Sequence, residues 1–197
     1  MSRCAVMSRC VVGSEGRNRN SARTRADLLA AAAELFGQRG FQKTTLRDIG
    51  DRAGADPALV ARYFGNKAAL YLATLPTDDT GPDLADIADP SRIEDTIRRV
   101  ARLGPGPVLH AVVGKHDDPD VQATAAERVD KRLTVGLENR LRAAGVGNPR
   151  LRAQLAVAAL SGIALGRVAG TLDELATADQ DDVVALTARI VGSLLEP

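Results

Sequence analysis

Cysteine and histidine, the residues most often used for redox and metal chemistry, are scarce in this sequence. Among 197 residues there are two cysteines, Cys4 and Cys10, and two histidines. A disulfide between the cysteines would close a very short loop and add little stability, so we interpret them as reduced thiols. A redox switch or half of a metal site is the alternative, although no third Cys or nearby His supports a metal.

Aromatic residues are also few, and tryptophan is absent. The three Phe and two Tyr all lie between positions 36 and 71, so only that region has large side chains for a core, and the rest must pack with aliphatic ones. No apolar run approaches the roughly 20 residues that span a membrane, and the N-terminus has no apolar signal segment. We therefore expect a cytoplasmic protein with no membrane partner.

Sequence patterns of common enzyme sites are missing. There is no Gly-x-Ser-x-Gly, no Gly-rich loop ending in Lys-Ser/Thr and no His-Glu-x-x-His. Asp117, Asp118 and Asp120 form an acidic group, but the glycine and distal Glu of an EF-hand loop are absent, so we interpret this group as a loop and helix cap. We predict that the protein is not an enzyme and uses no metal or cofactor.

Charge divides the chain into two unequal parts. Residues 1–75 contain twelve Lys/Arg and six Asp/Glu, a net charge of +6, whereas residues 76–197 contain fourteen and nineteen, a net charge of −5. A basic N-terminal part favours the binding of a polyanion at that end. The length, with 45% hydrophobic residues, suits either one core-bearing domain or a small module joined to a larger one.

No segment alternates with period two over a useful length, so the predicted fold class is all-α. The polar, Arg/Ser/Asn-rich start predicts disorder, and because MSRC occurs twice, translation could begin at Met7 instead of Met1. A Pro/Asp/Gly/Thr-rich stretch predicts a linker or mobile loop. The predicted parts are a disordered basic arm at 1–22, a helix-turn-helix domain at 23–75, the linker at 76–91 and a helical domain at 92–197.

Capping signals divide the N-terminal module into short helices. Thr24 and Asp27 form a plausible capping box for the first helix, which Gly40 ends. Thr45 begins the second helix with an acid three residues on, and Gly54 ends it by allowing a positive φ.

The third helix follows after a short turn. Asp56 is a good N-cap, with Pro57 in the first turn. Gly65 ends this helix, and Asn66 caps a fourth one. The two short helices at about 45–64, joined by a glycine-containing turn, form a helix-turn-helix pattern whose second helix can lie in the major groove.

Residues 23–75 resemble the DNA-binding module of the tetracycline-repressor (TetR) family. The matching residues are Leu35-Phe36, Arg39-Gly40-Phe41, Thr44-Thr45 before Leu46-Arg47-Asp48-Ile49, Ala53-Gly54, and Tyr63-Phe64 before Asn66-Lys67. Gly50 and Ala61 depart from the family pattern, in which Ala and Tyr are common there.

This resemblance implies a three-helix DNA-binding domain followed by a helical ligand-binding and dimerisation bundle. It further implies a homodimeric transcriptional regulator, usually a repressor, that binds a palindromic double-stranded DNA operator and is released by a small-molecule effector. A DNA-binding regulator without small-molecule control is the alternative.

The predicted DNA contacts lie on all four N-terminal helices: Arg23, Arg25, Thr45, Arg47, Ala58, Leu59, Arg62, Tyr63 and Lys67. Arg47 can bond both acceptors of guanine, or it can pair with Asp51 in solvent. Arg62 can reach a base edge or a phosphate, and Tyr63 can bond a phosphate or belong to the core.

The remaining predicted contacts have simpler roles. Ala58 and Leu59 would face thymine methyl groups, while Thr45 caps its helix and bonds a phosphate. Lys67 would bind phosphate together with backbone N–H groups at the start of the fourth helix. Arg23 and Arg25 would reach the DNA backbone or the minor groove from the arm.

The helical domain contains predicted helices near 92–103, 106–116, 118–144, 149–172 and 179–195. Small and aliphatic residues recur at steps of three and four on the last two, and glycines on one helix face suggest close approach of another helix. Packing within one chain is the alternative. The predicted dimerisation residues are Leu155, Ala158, Gly162, Gly166, Ala169, Val183, Leu186, Ile190 and Leu194.

We expect an effector pocket among the helices between 92 and 172. Leu109, His110, Val113 and Leu133 are its candidate residues, although the simpler interpretation of His110 is an ordinary helix residue. Because the region has no aromatic residue to stack on a planar ligand, we expect a small or flexible apolar effector rather than a large flat one.

Overall fold

The computed structural model describes residues 12–75, residue 87 and residues 89–196, with side chains from residue 19 onward. All regular elements in these ranges are helical, as the sequence predicts. In chain order they are α1 (Val12–Lys43), α2 (Leu46–Ala53), α3 (Ala58–Phe64), α4 (Lys67–Thr74), α5 (Pro90–Leu103), α6 (Gly106–Val113), α7 (Pro119–Val129), a π-helical segment (Asp130–Thr134), α8 (Val135–Ala143), α9 (Pro149–Ala169), α10 (Asp173–Thr177) and α11 (Gln180–Leu195).

Helix α1 begins well before its predicted start. The hydroxyl of Thr24 donates to the carbonyl of Asn20 at 2.9 Å, so Thr24 lies inside the helix and the predicted capping box with Asp27 is wrong. The predicted disordered arm is helical from Val12 onward, because extending an existing helix avoids the cost of nucleating one. Residues 1–11, with both cysteines and both candidate start methionines, lie outside the described residues.

Most other predicted helix ends in the N-terminal module agree with the structure, but α3 has Pro57 and not Asp56 at its N-cap position. Gly40 (φ 74°, ψ 173°) interrupts α1. Thr45 and Asp48 form a reciprocal capping box at the start of α2, and Gly54 ends that helix in the left-handed conformation. The side chain of Asn66 accepts the Ala69 N–H at 2.7 Å and caps α4.

Helices α1 to α4 enclose a first core. Phe36 and Tyr71 are buried in it, and Phe41, Tyr63 and Phe64 are partly buried against it. Leu28, Phe36, Ile49, Val60 and Leu70 are completely buried in it. One or more residues come from each helix, so the short helices α2, α3 and α4 are stabilised mainly by packing and not by their own propensity.

Helix α9 is the centre of a second, aliphatic core. Ala153, Ala156 and Leu160 of this helix are buried against residues of α5, the π-helical segment, α8 and α11. Its length and apolar composition would also allow it to cross a membrane, contrary to the expectation that no segment approaches this length. A core helix passes the same test, and one face of α9 is packed in the second core.

Three boundaries in this part differ from the sequence prediction. The helix predicted at 118–144 is divided by the π-helical segment, and the helix predicted at 106–116 already ends at Val113. The polar stretch predicted as a break at 173–178 contains α10. Asp118, in contrast, caps α7 by accepting the N–H groups of Asp120 and Val121, as predicted.

Direct contacts join the two cores. Helix α6 packs on α1, where a Cβ atom added to Gly37 would lie 2.7 Å from the Cα of Gly106. Arg128 of α7 donates to the main-chain carbonyls of Leu72 and Leu75 at the end of α4. The helix-turn-helix module (α1 to α4) is therefore held, through α1 and α4, against the second part of the chain, which consists of α5 to α11.

Candidate nucleic-acid interface

The turn between α2 and α3 is tightly packed around Gly50. A Cβ atom there would lie 2.6 Å from Cγ of Pro57 and 2.8 Å from the carbonyl oxygen of Ala55. The Ala55 N–H donates to the Gly50 carbonyl at 3.0 Å. Position 50 is one of the departures from the family pattern. Pro57, just before α3, and the Ala55 carbonyl leave room only for glycine there.

Helix α3 has one buried and one exposed face. Val60 is completely buried in the first core, whereas Ala58, Ala61 and Arg62 are exposed. Leu59 is half-buried and packs against the first core, so it faces solvent only in part. The outer face of α3 therefore consists of small side chains beside one long cation.

The start of α2 carries two further predicted contacts. Thr45 and Arg47 are exposed, and the Thr45 hydroxyl donates to Oδ2 of Asp48 at 2.7 Å. Hydrogen bonds from Thr45 lower the pKa of Asp48 below its ordinary value, and the nearby charges of Arg39 and Arg47 lower it further. The Thr45 hydroxyl is thus engaged in the cap in this structure.

Cations of α1, α3 and α4 lie over aromatic rings. The guanidinium carbon of Arg25 is 4.8 Å from the centroid of Phe64, and that of Arg62 is 5.8 Å from the centroid of Tyr63. Arg23 is exposed and pairs loosely with Asp27 on the same helix. Because Arg23 and Arg25 lie on α1, they extend the surface of the module instead of hanging from a free arm.

Tyr63 and Lys67 lie partly inside the module. The Tyr63 hydroxyl accepts a hydrogen bond from Ser21 at 3.2 Å. The Lys67 ammonium lies 4.3 Å above the Phe41 ring, and burial lowers the pKa of this lysine. Sequence reasoning missed Ser21, because a serine in a polar stretch gives no signal for its tertiary partner.

The predicted dimerisation residues separate into two groups. Leu155, Leu186 and Ile190 are exposed by 46%, 56% and 47%, and Ala158, Gly162 and Ala169 are also exposed. Leu151, which sequence reasoning missed although it lies one turn before Leu155, is 56% exposed. These residues form an apolar surface on α9 and α11.

The other three members are engaged within the chain. Val183 is buried in the second core and Leu194 packs against that core, so both belong to the inner face of α11. A Cβ atom at Gly166 would lie 3.4 Å from Cδ2 of Leu175. The helix that approaches Gly166 is therefore α10 of the same chain, which the sequence prediction did not include.

Two of the four candidate ligand residues line a small buried cavity in the second part, and two do not. Leu109 and Leu133 line the cavity, whereas Val113 is 58% exposed. His110 faces α1, where burial lowers its pKa and a hydrogen bond with the Gly37 backbone partly opposes that shift. Successive helix residues point about 100° apart, so Leu109 and His110 cannot share one face.

His116 lies at the junction of the two parts. Its ring is 4.9 Å from the Phe41 ring and 4.8 Å from the Tyr71 ring, centroid to centroid. Burial lowers the pKa of His116 and raises the pKa of Tyr71 to about 12. Among the described residues, no group of three or more His, Cys, Asp and Glu side chains could hold a metal ion.

Comparison with solved structures shows the same fold. A TetR-family transcriptional regulator from Streptomyces coelicolor aligns over 88% of this chain and 87% of its own, with 22% identity and a TM-score of 0.51. Another from Pectobacterium atrosepticum aligns over 90% and 94%, with 23% identity and a TM-score of 0.51.

Curated relatives match in the N-terminal module. The HTH-type transcriptional regulator BetI of Brucella anthropi is 45% identical over 51 residues, 26% of each protein. The HTH-type transcriptional activator FasR of Mycolicibacterium smegmatis is 41% identical over 51 residues, 26% of this chain and 23% of its own length. The matches thus span about a quarter of these relatives.

Family comparison covers both parts of the chain. Residues 28–74 match the family described as "Bacterial regulatory proteins, tetR family". Residues 93–195, more than half of the chain, match "Tetracyclin repressor-like, C-terminal domain". The family and the relatives are transcriptional regulators and not enzymes. The chain therefore belongs to the TetR family of transcriptional regulators and begins with the helix-turn-helix DNA-binding domain of that family.

Proposed function

We propose that this regulator is a homodimeric repressor that binds a palindromic operator and leaves it when a small-molecule effector binds. It would act in the bacterial cytoplasm, where its DNA lies. The observation that carries the DNA-binding part is the outer face of α3, with Ala58, Ala61 and Arg62 exposed while Val60 anchors the helix in the core. Small side chains allow close approach to base edges, and an arginine can bond both guanine acceptors.

The homodimer is supported by the apolar surface on α9 and α11. Leu151, Leu155, Leu186 and Ile190 are large, aliphatic and about half exposed. A grouped apolar surface of this kind is typical of a protein interface. A two-fold dimer would also place two α3 helices so that they enter successive major grooves, about 34 Å apart.

Release by an effector is supported by the contacts between the two parts. Helix α6 carries Leu109 in the cavity lining and packs on α1, and α7 contacts the end of α4 through Arg128. A ligand that displaced α6 or α7 would therefore shift the helix-turn-helix module. The alternative is a DNA-binding regulator without small-molecule control, in which this joint is only structural.

The DNA-binding proposal is tested by titrating the full chain against labelled DNA from upstream of its own gene, with a shuffled duplex as control, at two salt concentrations. We expect preference for the native duplex and weaker binding to both as salt rises. Arg62→Ala should abolish the preference, and Arg102→Ala, an exposed arginine on α5, should not.

Two outcomes need different follow-up. Equal binding to both duplexes would place the operator elsewhere, and a selection from random duplexes would then identify it. No binding to any duplex at low salt would refute the proposal. Since one relative is named an activator, repression is checked separately with a reporter gene under the selected operator.

A further inference from the structure

A small cavity lined by buried residues lies in the second part, between α5, α6, the π-helical segment and α9. It leaves about 10 Å³ for the centre of a water-sized sphere, which is roughly the space of one water molecule. None of the described residues around it is charged or aromatic. They are Ile87, Thr96, Leu109, Leu133, Val157, Leu160 and Ser161.

Two hydroxyl groups in this lining lack hydrogen-bond partners. Thr96 and Ser161 are 2% and 1% exposed, and neither side-chain oxygen has a partner. Several other helical threonines donate to the carbonyl four residues earlier, as Thr124 does to Asp120 at 2.8 Å and Thr187 to Val183 at 2.6 Å. Thr96 and Ser161 forgo this bond. Since buried polar groups are almost always paired, these two hydroxyls indicate a binding partner that the protein itself does not supply.

A thin wall separates the cavity from an open groove of about 320 Å³. Val157 lines both the cavity and the groove. In the π-helical segment, Leu133 faces the cavity and the next residue, Thr134, faces the groove. Single π-helical turns occur frequently at functional sites. Rotation of the Val157 side chain would therefore be enough to begin joining the two spaces.

We infer that the cavity and groove together bind an uncharged, mainly aliphatic molecule through one hydroxyl or carbonyl group that bonds Thr96 and Ser161. We expect the group at the hydroxyl end to be uncharged, because the described lining offers no counter-charge and burying an unpaired charge is very unfavourable. A flat aromatic ligand has no ring to stack on there. That this molecule is the effector rests on the proposed function, whereas its binding does not.

The test is calorimetric titration of the full chain, without DNA, with 1-hexanol and with hexanoate as the charged probe of the same length. We expect saturable binding of 1-hexanol and at least tenfold weaker binding of hexanoate. Thr96→Val and Ser161→Ala should each weaken 1-hexanol binding about tenfold, the effect of losing one hydrogen bond of about 1.4 kcal/mol. Thr187→Val, a matched change outside the lining, should leave the affinity unchanged.

If 1-hexanol cannot enter the cavity of the parent protein, a second variant provides the test. Val157→Ala thins the wall and should strengthen 1-hexanol binding. Absence of 1-hexanol binding to both the parent and Val157→Ala, equal binding of hexanoate, or unchanged affinity in Thr96→Val and Ser161→Ala would each overturn the site.

The same samples separate the site from the proposed function. If 1-hexanol binds as expected but operator binding persists at saturating probe, the site stands and effector release by this class of molecule fails. If operator binding is lost without calorimetric binding at this site, release occurs by another route and the site is refuted.

Discussion

Gly37 of α1 and Gly106 of α6 meet backbone to backbone: a Cβ atom added to Gly37 would lie 2.7 Å from Cα, 3.1 Å from the carbonyl carbon and 3.2 Å from the nitrogen of Gly106. All three neighbours are main-chain atoms, so no rotamer change can relieve the overlap. Gly106 also has a φ of 73°, which most other residues adopt only with strain. The junction between the DNA-binding module and the second part thus depends on two glycines.

Gly37→Ala should therefore lower the free energy of unfolding by about 1–3 kcal/mol, the usual cost of overpacking. The control is Gly192→Ala in α11, where nothing lies within 4 Å of an added Cβ and where alanine should instead stabilise the helix by about 1 kcal/mol. Urea unfolding of both variants measures whether the free energy of unfolding falls for Gly37→Ala and rises for Gly192→Ala. A Gly37→Ala protein as stable as the parent would show that α1 and α6 do not meet this closely.

Gly50→Ala should destabilise the helix-turn-helix module and weaken DNA binding, since the new methyl group overlaps Pro57 and the Ala55 carbonyl. Pro57→Ala removes the Cγ and Cδ atoms of one neighbour, so the double variant should recover part of the loss. A double-mutant cycle measures this coupling. Additive effects in the cycle would contradict the predicted contact between positions 50 and 57.

Acid should weaken the α2 cap. Because the pKa of Asp48 in the folded chain lies below its ordinary value of 3.8, ionised Asp48 contributes stability above the unfolded pKa, and that contribution is lost as pH falls through the folded value. Between about pH 5 and about pH 3, the parent should therefore lose more stability than Asp48→Asn, which has no carboxylate to protonate. Parallel pH profiles for the two proteins would contradict this.

We expect Thr96→Val and Thr187→Val to change the free energy of unfolding in opposite directions. Thr96 has no partner for its buried hydroxyl, so the isosteric valine should raise the free energy of unfolding by about 1 kcal/mol. Thr187→Val removes the hydrogen bond to Val183 and should lower it by a similar amount, about 1 kcal/mol. Denaturant unfolding without ligand tests both. Destabilisation by Thr96→Val would indicate that its hydroxyl is already satisfied.

Leu155→Glu combined with Ile190→Glu should convert the proposed dimer to a monomer, because two charges on each copy would be buried in the interface. Sedimentation velocity measures the change. Leu103→Glu is the control, since Leu103 is 63% exposed at the end of α5 and is not one of the exposed apolar residues of α9 and α11. A parent protein that is already monomeric, or a double variant that remains dimeric, would rule out this surface.

Local chemistry made the helix-turn-helix module predictable. The caps at Thr45 and Asn66 and the left-handed Gly54 depend on neighbours within a few residues, so the sequence contains the whole signal. The start of α1 was not predictable in the same way, since polar residues continue a helix that packing has already formed.

The second part was less predictable because its signals are tertiary. Val183 and Leu186 lie on the same amphipathic helix, yet Val183 is 5% and Leu186 56% exposed, and only the position of α9 decides which side is covered. Only two of the four candidate effector residues line the cavity, for a related reason. Periodicity places Leu109 and His110 on one helix but does not give its rotation, and nothing local predicts a π-helical turn.

The contact made by Arg128 should allow helices of the DNA-binding module to be replaced without loss of the junction. This arginine recognises the carbonyls of Leu72 and Leu75, which are main-chain groups that any α4 sequence would present. A chimera could therefore take α2 and α3 from another regulator, and with them a new operator preference, and still attach to the second part of this chain. The requirement would be to retain glycine at 37 and the length of α4, so that the operator preference could be exchanged while the second part is kept.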